Sequence, residues 1–199
     1  MIGSQFIAVF FGFILVNFVF IGVLNSDFKN KQYLSLCGCI FSLMIIVCIC
    51  FFPFPFQSEL IESMIDGNEG LSNNFIPLKS IVFIVKDSIE FKVYGMIFYQ
   101  IFGNILLFMP LGFSLFCYLK EKNKFFKILC CVLFTSVFVE VGQCFFNTMI
   151  EVNYRSVDID DILLNTLGGI LGFRFAYSII PKFNHLLNKT KKECMKKFL

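Results

Sequence analysis

Seven residues could do chemistry together: Asn104, Glu140, Gln143, Arg155, Asp158, Asp161 and Asn165. A carboxylic acid can move a proton or hold a cation, a guanidinium grips phosphate or carboxylate bidentately, and amides offer neutral hydrogen bonds. Their setting makes them stand out. Glu140 and Gln143 lie one helical turn apart inside an apolar run, and Asn104 and Asn165 lie inside two others. A charge in hydrocarbon costs at least a few kcal/mol unless it is neutralised, paired or facing water, so it marks a functional site by default. Asp158, Asp161, Asn165, Gly168 and Gly172 recur every three or four positions, which lines them along one helix face. The Gly168-x-x-x-Gly172 pair lets another helix approach closely. Such a stripe describes a helix packed inward.

Structural roles compete for the same residues. Ser156, Asp158, Asp160 and Asp161 could cap a helix start, where carboxylates favour the positive end of the dipole. Asn104 and Asn165 could bond neighbouring helices. Capping accounts for one or two of the acids but not for Arg155 together with Glu140, so a site is expected.

The elements that must position these residues are set by composition. Of 199 residues, 57% are hydrophobic and 16% charged. In a soluble domain of this size too many of them would face water. Five apolar stretches, 2–24, 34–56, 96–118, 128–149 and 162–180, are each long enough to cross about 30 Å of hydrocarbon. The first has no basic segment before it and no small-residue cleavage pattern after it, which predicts a mature span and not a signal peptide. Lys29 and Lys31, then Lys120, Lys122, Lys124 and Lys127, then Lys182 and the lysines of the C-terminal tail occupy alternate connections. The positive-inside rule places these connections in the cytoplasm.

The expected fold is therefore an all-α integral membrane protein of about five transmembrane helices, N-terminus out and C-terminus in. Residues 1–56 would form two spans, 57–95 an outer loop, 96–180 a three-helix core and 181–199 a basic cytoplasmic tail. In the outer loop, the half containing Glu59, Glu62, Asp66 and Glu69 reads as polar loop. The apolar segment after Phe75 is too short to span and predicts an interfacial helix or a short re-entrant segment. At 1.5 Å per residue, Glu140 would lie about 14 Å and Asn165 about 5 Å from the outer ends of their spans. All seven candidates fall in the outer half.

Other chemistry finds little support. The net charge of +3 does not indicate a nucleic-acid partner. The nine Cys include no Cys-x-x-Cys pair, and the only His is His185. Buried thiols used as small hydrophobes are expected, with pairing of Cys48 or Cys50 left open. No cofactor and no metal set is expected; Asp158 and Asp161 are the pair that would hold a divalent ion if one bound. No Ser-His, Cys-His or phosphate-loop constellation names a reaction class, so enzymatic activity stays open.

The same residues carry a resemblance. Asn104-Ile-Leu-Leu-Phe-Met-Pro-Leu-Gly-Phe113, Glu140-x-x-Gln143, Arg155-x-x-Asp158-x-x-Asp161-x-x-x-Asn165-x-x-Gly168 and Gly172 resemble the signature of the VanZ-like membrane family. Ile76-Pro-Leu-Lys-Ser-Ile81 is similar to a weaker family element. The resemblance runs over residues 74–180, and the first two stretches carry no family motif. The family takes its name from a protein associated with resistance to the glycopeptide teicoplanin, and most members have no assigned chemistry. The resemblance implies a bacterial cytoplasmic (cell) membrane location and a cell-envelope role.

With the seven residues, this leads to an expected outward-facing pocket among membrane lipids. It would bind an amphiphilic or lipid-linked ligand, such as a lipid-linked cell-wall precursor or a glycopeptide. Arg155 would meet an anionic group, with Asp158 and Asp161 orienting it or binding a cation. The alternative is an intramembrane enzyme acting on a lipid or lipid-linked envelope substrate, with Glu140 as general acid or base. A small transporter is a third reading, weakened by the lack of a visible inverted repeat.

Overall fold

The computed structural model describes residues 28–67, 70–121 and 123–197. The expected span at 2–24 lies outside the described residues. The described chain is helical: α1 (Phe28–Phe51), α2 (Ser58–Asp66), α3 (Lys79–Glu90), a wider π-helical turn (Ile97–Phe102) running into α4 (Gly103–Tyr118), α5 (Lys124–Ile150) and α6 (Ile159–Lys197). Four segments are long and apolar enough to cross a membrane: Lys31–Phe51, Ile97–Tyr118, Lys124–Ile150 and Ile159–Lys182. These correspond to the expected stretches from 34–56 onward.

The boundaries differ where local chemistry overrides hydropathy. α1 stops at Phe51 although apolar residues continue to Phe56, because Pro53 and Pro55 lack the N–H a helix needs. The polar half of the long connection is not loop throughout. Ser58–Asp66 forms α2, an amphipathic helix with Glu59 in its first turn, where it favours the dipole. The tail after residue 180 continues α6 as helix to Lys197 in spite of Pro181.

α5 shows the inside-out logic of a membrane bundle. Phe134, Phe138, Val141, Phe145 and Met149 are exposed along one face, while Ser136, Glu140, Gln143 and Asn147 are buried along another. Both rows keep helical spacing. Lipid would cover the first row, and the second turns to α1 and α6.

Packing is tightest between α4 and α6. A Cβ added at Gly112 would strike the Gly169 carbonyl, one at Gly168 the Ile105 carbonyl, and one at Gly172 the Met109 carbonyl. The backbones touch there, as the small-residue spacing predicts. Around this crossing Ile46, Phe108, Leu111, Ile128, Val132 and Val139 form an apolar core from α1, α4 and α5. The cysteines depart from expectation. Cys39 is buried, but Cys37, Cys48, Cys130, Cys131 and Cys144 are exposed, and all of these, with Cys50 and Cys117, are free thiols.

Candidate functional site

The polar row of α5 bonds to α6, to the turn before it and to α1, and that of α6 also to α4. Asn165 Nδ2 donates to Ser136 Oγ at 3.0 Å. One turn nearer the start of α6, Asp161 accepts from Asn104 Nδ2 of α4. At that start, the backbone N–H of Asp158 donates to Glu140 Oε2 at 2.9 Å. Gln143 Nε2 reaches sideways to the Cys50 carbonyl of α1 at 3.0 Å. Asn147 Nδ2 donates to the Arg155 carbonyl at 2.7 Å. Glu140, Asp158 and Asp161 are close enough for their charges to interact. Asn104, Glu140, Asp158, Asp161 and Asn165 thus meet in one seam between α4, α5 and α6, and Gln143, on the same row of α5 as Glu140, ties it to the end of α1.

Arg155 takes a different place. Its Nη2 donates to the carbonyls of Phe52 at 2.7 Å and Ile49 at 3.3 Å. These lie at the end of α1, where carbonyls lack intrahelical partners and the dipole is negative. A guanidinium is well suited to gather them. One nitrogen of Arg155 thus caps α1, and among the described residues it forms no ion pair with Asp158 or Asp161 that would orient it. Lys124 does the same for α4, with Nζ 2.8 Å from the Phe116 carbonyl and 3.2 Å from that of Leu119.

Asp158 is also structural in part. Its Oδ1 accepts the Asp160 N–H at 2.8 Å, the bond of an N-cap, and Asn74 Nδ2 at 2.8 Å. Among the described residues, no group of three or more His, Cys, Asp or Glu side chains is placed to hold a metal ion. The divalent-ion role considered for Asp158 and Asp161 gains no third ligand from these types.

Two residues outside the expected set turn out to organise this end. Asn74 is buried and forms a short parallel bridge with Asp158: its N–H donates to the Val157 carbonyl and its carbonyl accepts from the Ile159 N–H. Asp160, 1% exposed, reaches across to the start of α3. Its carboxylate accepts the N–H groups of Leu78 at 2.5 Å, Ser80 at 2.9 Å and Ile81 at 3.2 Å. Leu78 has φ 66°, a conformation a branched side chain seldom adopts. Capping had suggested Asp160 for its own helix; it serves another. Between α5 and α6, outside both spans, the buried Tyr154 hydroxyl has no hydrogen-bond partner, and burial raises its pKa.

α3, the expected interfacial helix, thus hangs from the site by Asp160. Ile76, Leu78, Val82, Phe83 and Ile89 of this region are exposed, an apolar surface suited to the membrane boundary.

Comparison with known proteins adds one finding. A VanZ/LLP1 family model matches residues 39–181. No curated protein and no solved structure matches the chain. The match reaches upstream of the expected 74–180 and takes in most of α1, whose Cys50 carbonyl receives Gln143 and whose end receives Arg155. It spans well over half of the chain and includes every residue of the seam, so this chain belongs to the VanZ/LLP1 family.

Proposed function

We propose that this VanZ/LLP1 protein is a multi-pass component of the bacterial cytoplasmic membrane whose seam binds the headgroup of an amphiphilic or lipid-linked envelope ligand, and that it thereby alters glycopeptide susceptibility. The seam faces outward in this reading. Lys120, Lys124, Lys127 and Lys182 gather at the opposite end, in keeping with a cytoplasmic side, while Glu59, Glu62 and Asp66 belong to the connection on the seam side. Tags near Asn123 or after Lys192 should then be shielded in intact cells, and tags between Glu59 and Asp66 labelled. Labelling of the C-terminal tag from outside would reverse the orientation.

One observation carries the ligand reading. Glu140 and Asp161, acids on neighbouring membrane helices, are joined through the Asp158 turn, with one backbone N–H and one amide as their described donors. Bringing acids together in a low-dielectric seam is unfavourable by several kcal/mol unless something compensates. A bare scaffold has no use for that. Glu140→Gln keeps shape and hydrogen bonding, so it should abolish the envelope phenotype, measured as glycopeptide susceptibility, while the purified variant unfolds near the wild-type temperature. If lost phenotype merely tracks lost protein, the scaffold reading wins.

The same proximity supports a second reading as an intramembrane enzyme. Neighbouring carboxylates in unlike settings are how one site provides an acid and a base, with Glu140 as the candidate. Turnover of a lipid-linked substrate by purified protein, lost in Glu140→Gln, would favour it over binding alone.

A further inference from the structure

The polar atoms left over in the seam include two amide acceptors. Gln143 Oε1 and Asn165 Oδ1 are buried without a hydrogen-bond partner, and their residues are only 7% and 3% exposed. Their donor ends are engaged, by the Cys50 carbonyl and by Ser136 Oγ. Turning the Gln143 amide over would set its oxygen against the Cys50 carbonyl, acceptor to acceptor, so its orientation is fixed by chemistry. Gln143 lies one turn from Glu140 on α5, and Asn165 one turn from Asp161 on α6. Asn165 can turn its oxygen to the Ser136 hydroxyl, which donates as readily as it accepts, so Gln143 Oε1, one turn from Glu140, is the buried acceptor whose orientation leaves it unanswered beside the carboxylates. A buried acceptor left without a donor is unfavourable by about 1–3 kcal/mol. No guanidinium N–H of Arg155 reaches either oxygen; its Nη2 is turned to the end of α1.

We infer that the seam recognises a hydrogen-bond-donating cation, an ammonium group carried by an amphiphile, and discriminates against phosphate or sulfate headgroups. The inference rests on the ligand-binding reading above and specifies its chemistry. An ammonium brings three donors and no acceptor, which complements carboxylates and an amide oxygen. A phosphate would bring acceptors to acceptors. Depth argues for an amphiphile: Glu140 is ten residues from the end of α5 at Ile150, about 15 Å along the helix. A headgroup at that depth needs a tail that lipid accepts.

The test uses the full chain in phosphatidylcholine nanodiscs, with dodecylammonium and dodecyl phosphate as matched probes below the concentration that disturbs the bilayer. Dodecylammonium should bind saturably and raise the unfolding temperature, and dodecyl phosphate should bind at least about tenfold more weakly. Glu140→Gln should weaken dodecylammonium by about tenfold or more, the loss expected for a charge-assisted hydrogen bond. Gln143→Met, which keeps length and removes the acceptor, should weaken it by a smaller factor and serves if Glu140→Gln does not fold. Equal or tighter binding of dodecyl phosphate, lost in Arg155→Ala, would overturn the ammonium assignment while leaving a ligand site in place. Absence of saturable dodecylammonium binding to the wild-type protein would also overturn it, and the paired phenotype and unfolding of Glu140→Gln would then decide separately whether any ligand site exists.

Discussion

The two halves of α6 meet their neighbours by opposite means. From Asp158 to Asn165 the contacts are hydrogen bonds, to Glu140, Asn104 and Ser136. From Gly168 to Gly172 they are backbone against backbone, with the carbonyls of Ile105 and Met109 where side chains would otherwise stand. Lipid removes the hydrophobic drive between helices, so a membrane bundle is held by close packing and by interhelical hydrogen bonds. Here the two are separated along one helix. The glycine half has no atoms to spare, while opposite the polar half an acceptor of α5, Gln143 Oε1, stays open. Close packing is concentrated in one stretch and hydrogen bonding in the other.

The sharpest way to break that contrast is Gly168→Leu. The new side chain would collide with the Ile105 backbone, which cannot swing aside as a side chain could. A loss of about 3 kcal/mol or more is expected from overpacking of this kind, read by denaturant or thermal unfolding of the purified protein. Unchanged stability would mean that the crossing is loose.

Asp160→Asn comes next and acts on the polar half. It weakens the charge-assisted acceptor of the Leu78, Ser80 and Ile81 N–H groups at the start of α3. The expected effect is about 1–2 kcal/mol, confined to α3 and visible as faster hydrogen exchange at Ser80 and Ile81. Protection that stays at the wild-type level would remove Asp160 from this role.

Asn74→Ala should be milder, about 1 kcal/mol in thermal unfolding, because the Asn74 backbone bridge to Val157 and Ile159 survives the loss of its side chain. A drop as large as that of Gly168→Leu would place the strength of the bundle at the wrong end. Ile170→Leu sets the floor. Ile170 is only partly buried on α6, and a volume-conserving swap should change stability by less than about 1 kcal/mol.

What could be read from sequence followed the reach of the signals. Helical spacing revealed the α6 stripe and the Gly168–Gly172 approach, because both repeat turn by turn along one helix. Apolar length revealed the spans. The partners of Arg155 and Asp160 lay beyond that reach: Arg155 bonds residues more than a hundred positions away, and Asp160 residues about eighty away. A cation before an acidic cluster suggests an ion pair, and only the fold brings the end of α1 closer than the acids. Asn74 had one available sign, a polar residue just before the apolar segment at Phe75, which alone does not separate a buried bridge from a loop. α2 was hidden by polar composition, since an amphipathic helix at a membrane boundary and a charged loop use the same residues.

The Asp160 contact sets an order on the birth of the protein. The N–H groups of Leu78, Ser80 and Ile81 leave the ribosome some eighty residues before the carboxylate that receives them. Until α6 begins to emerge, α3 has no cap and the backbone of Asn74 has no partner for its bridge. The middle of the chain must therefore wait, exposed on one side of the membrane, for the last span to be threaded. Completion of the final helix is then the event that closes the seam, so a truncated chain can insert its earlier spans and still lack these bonds.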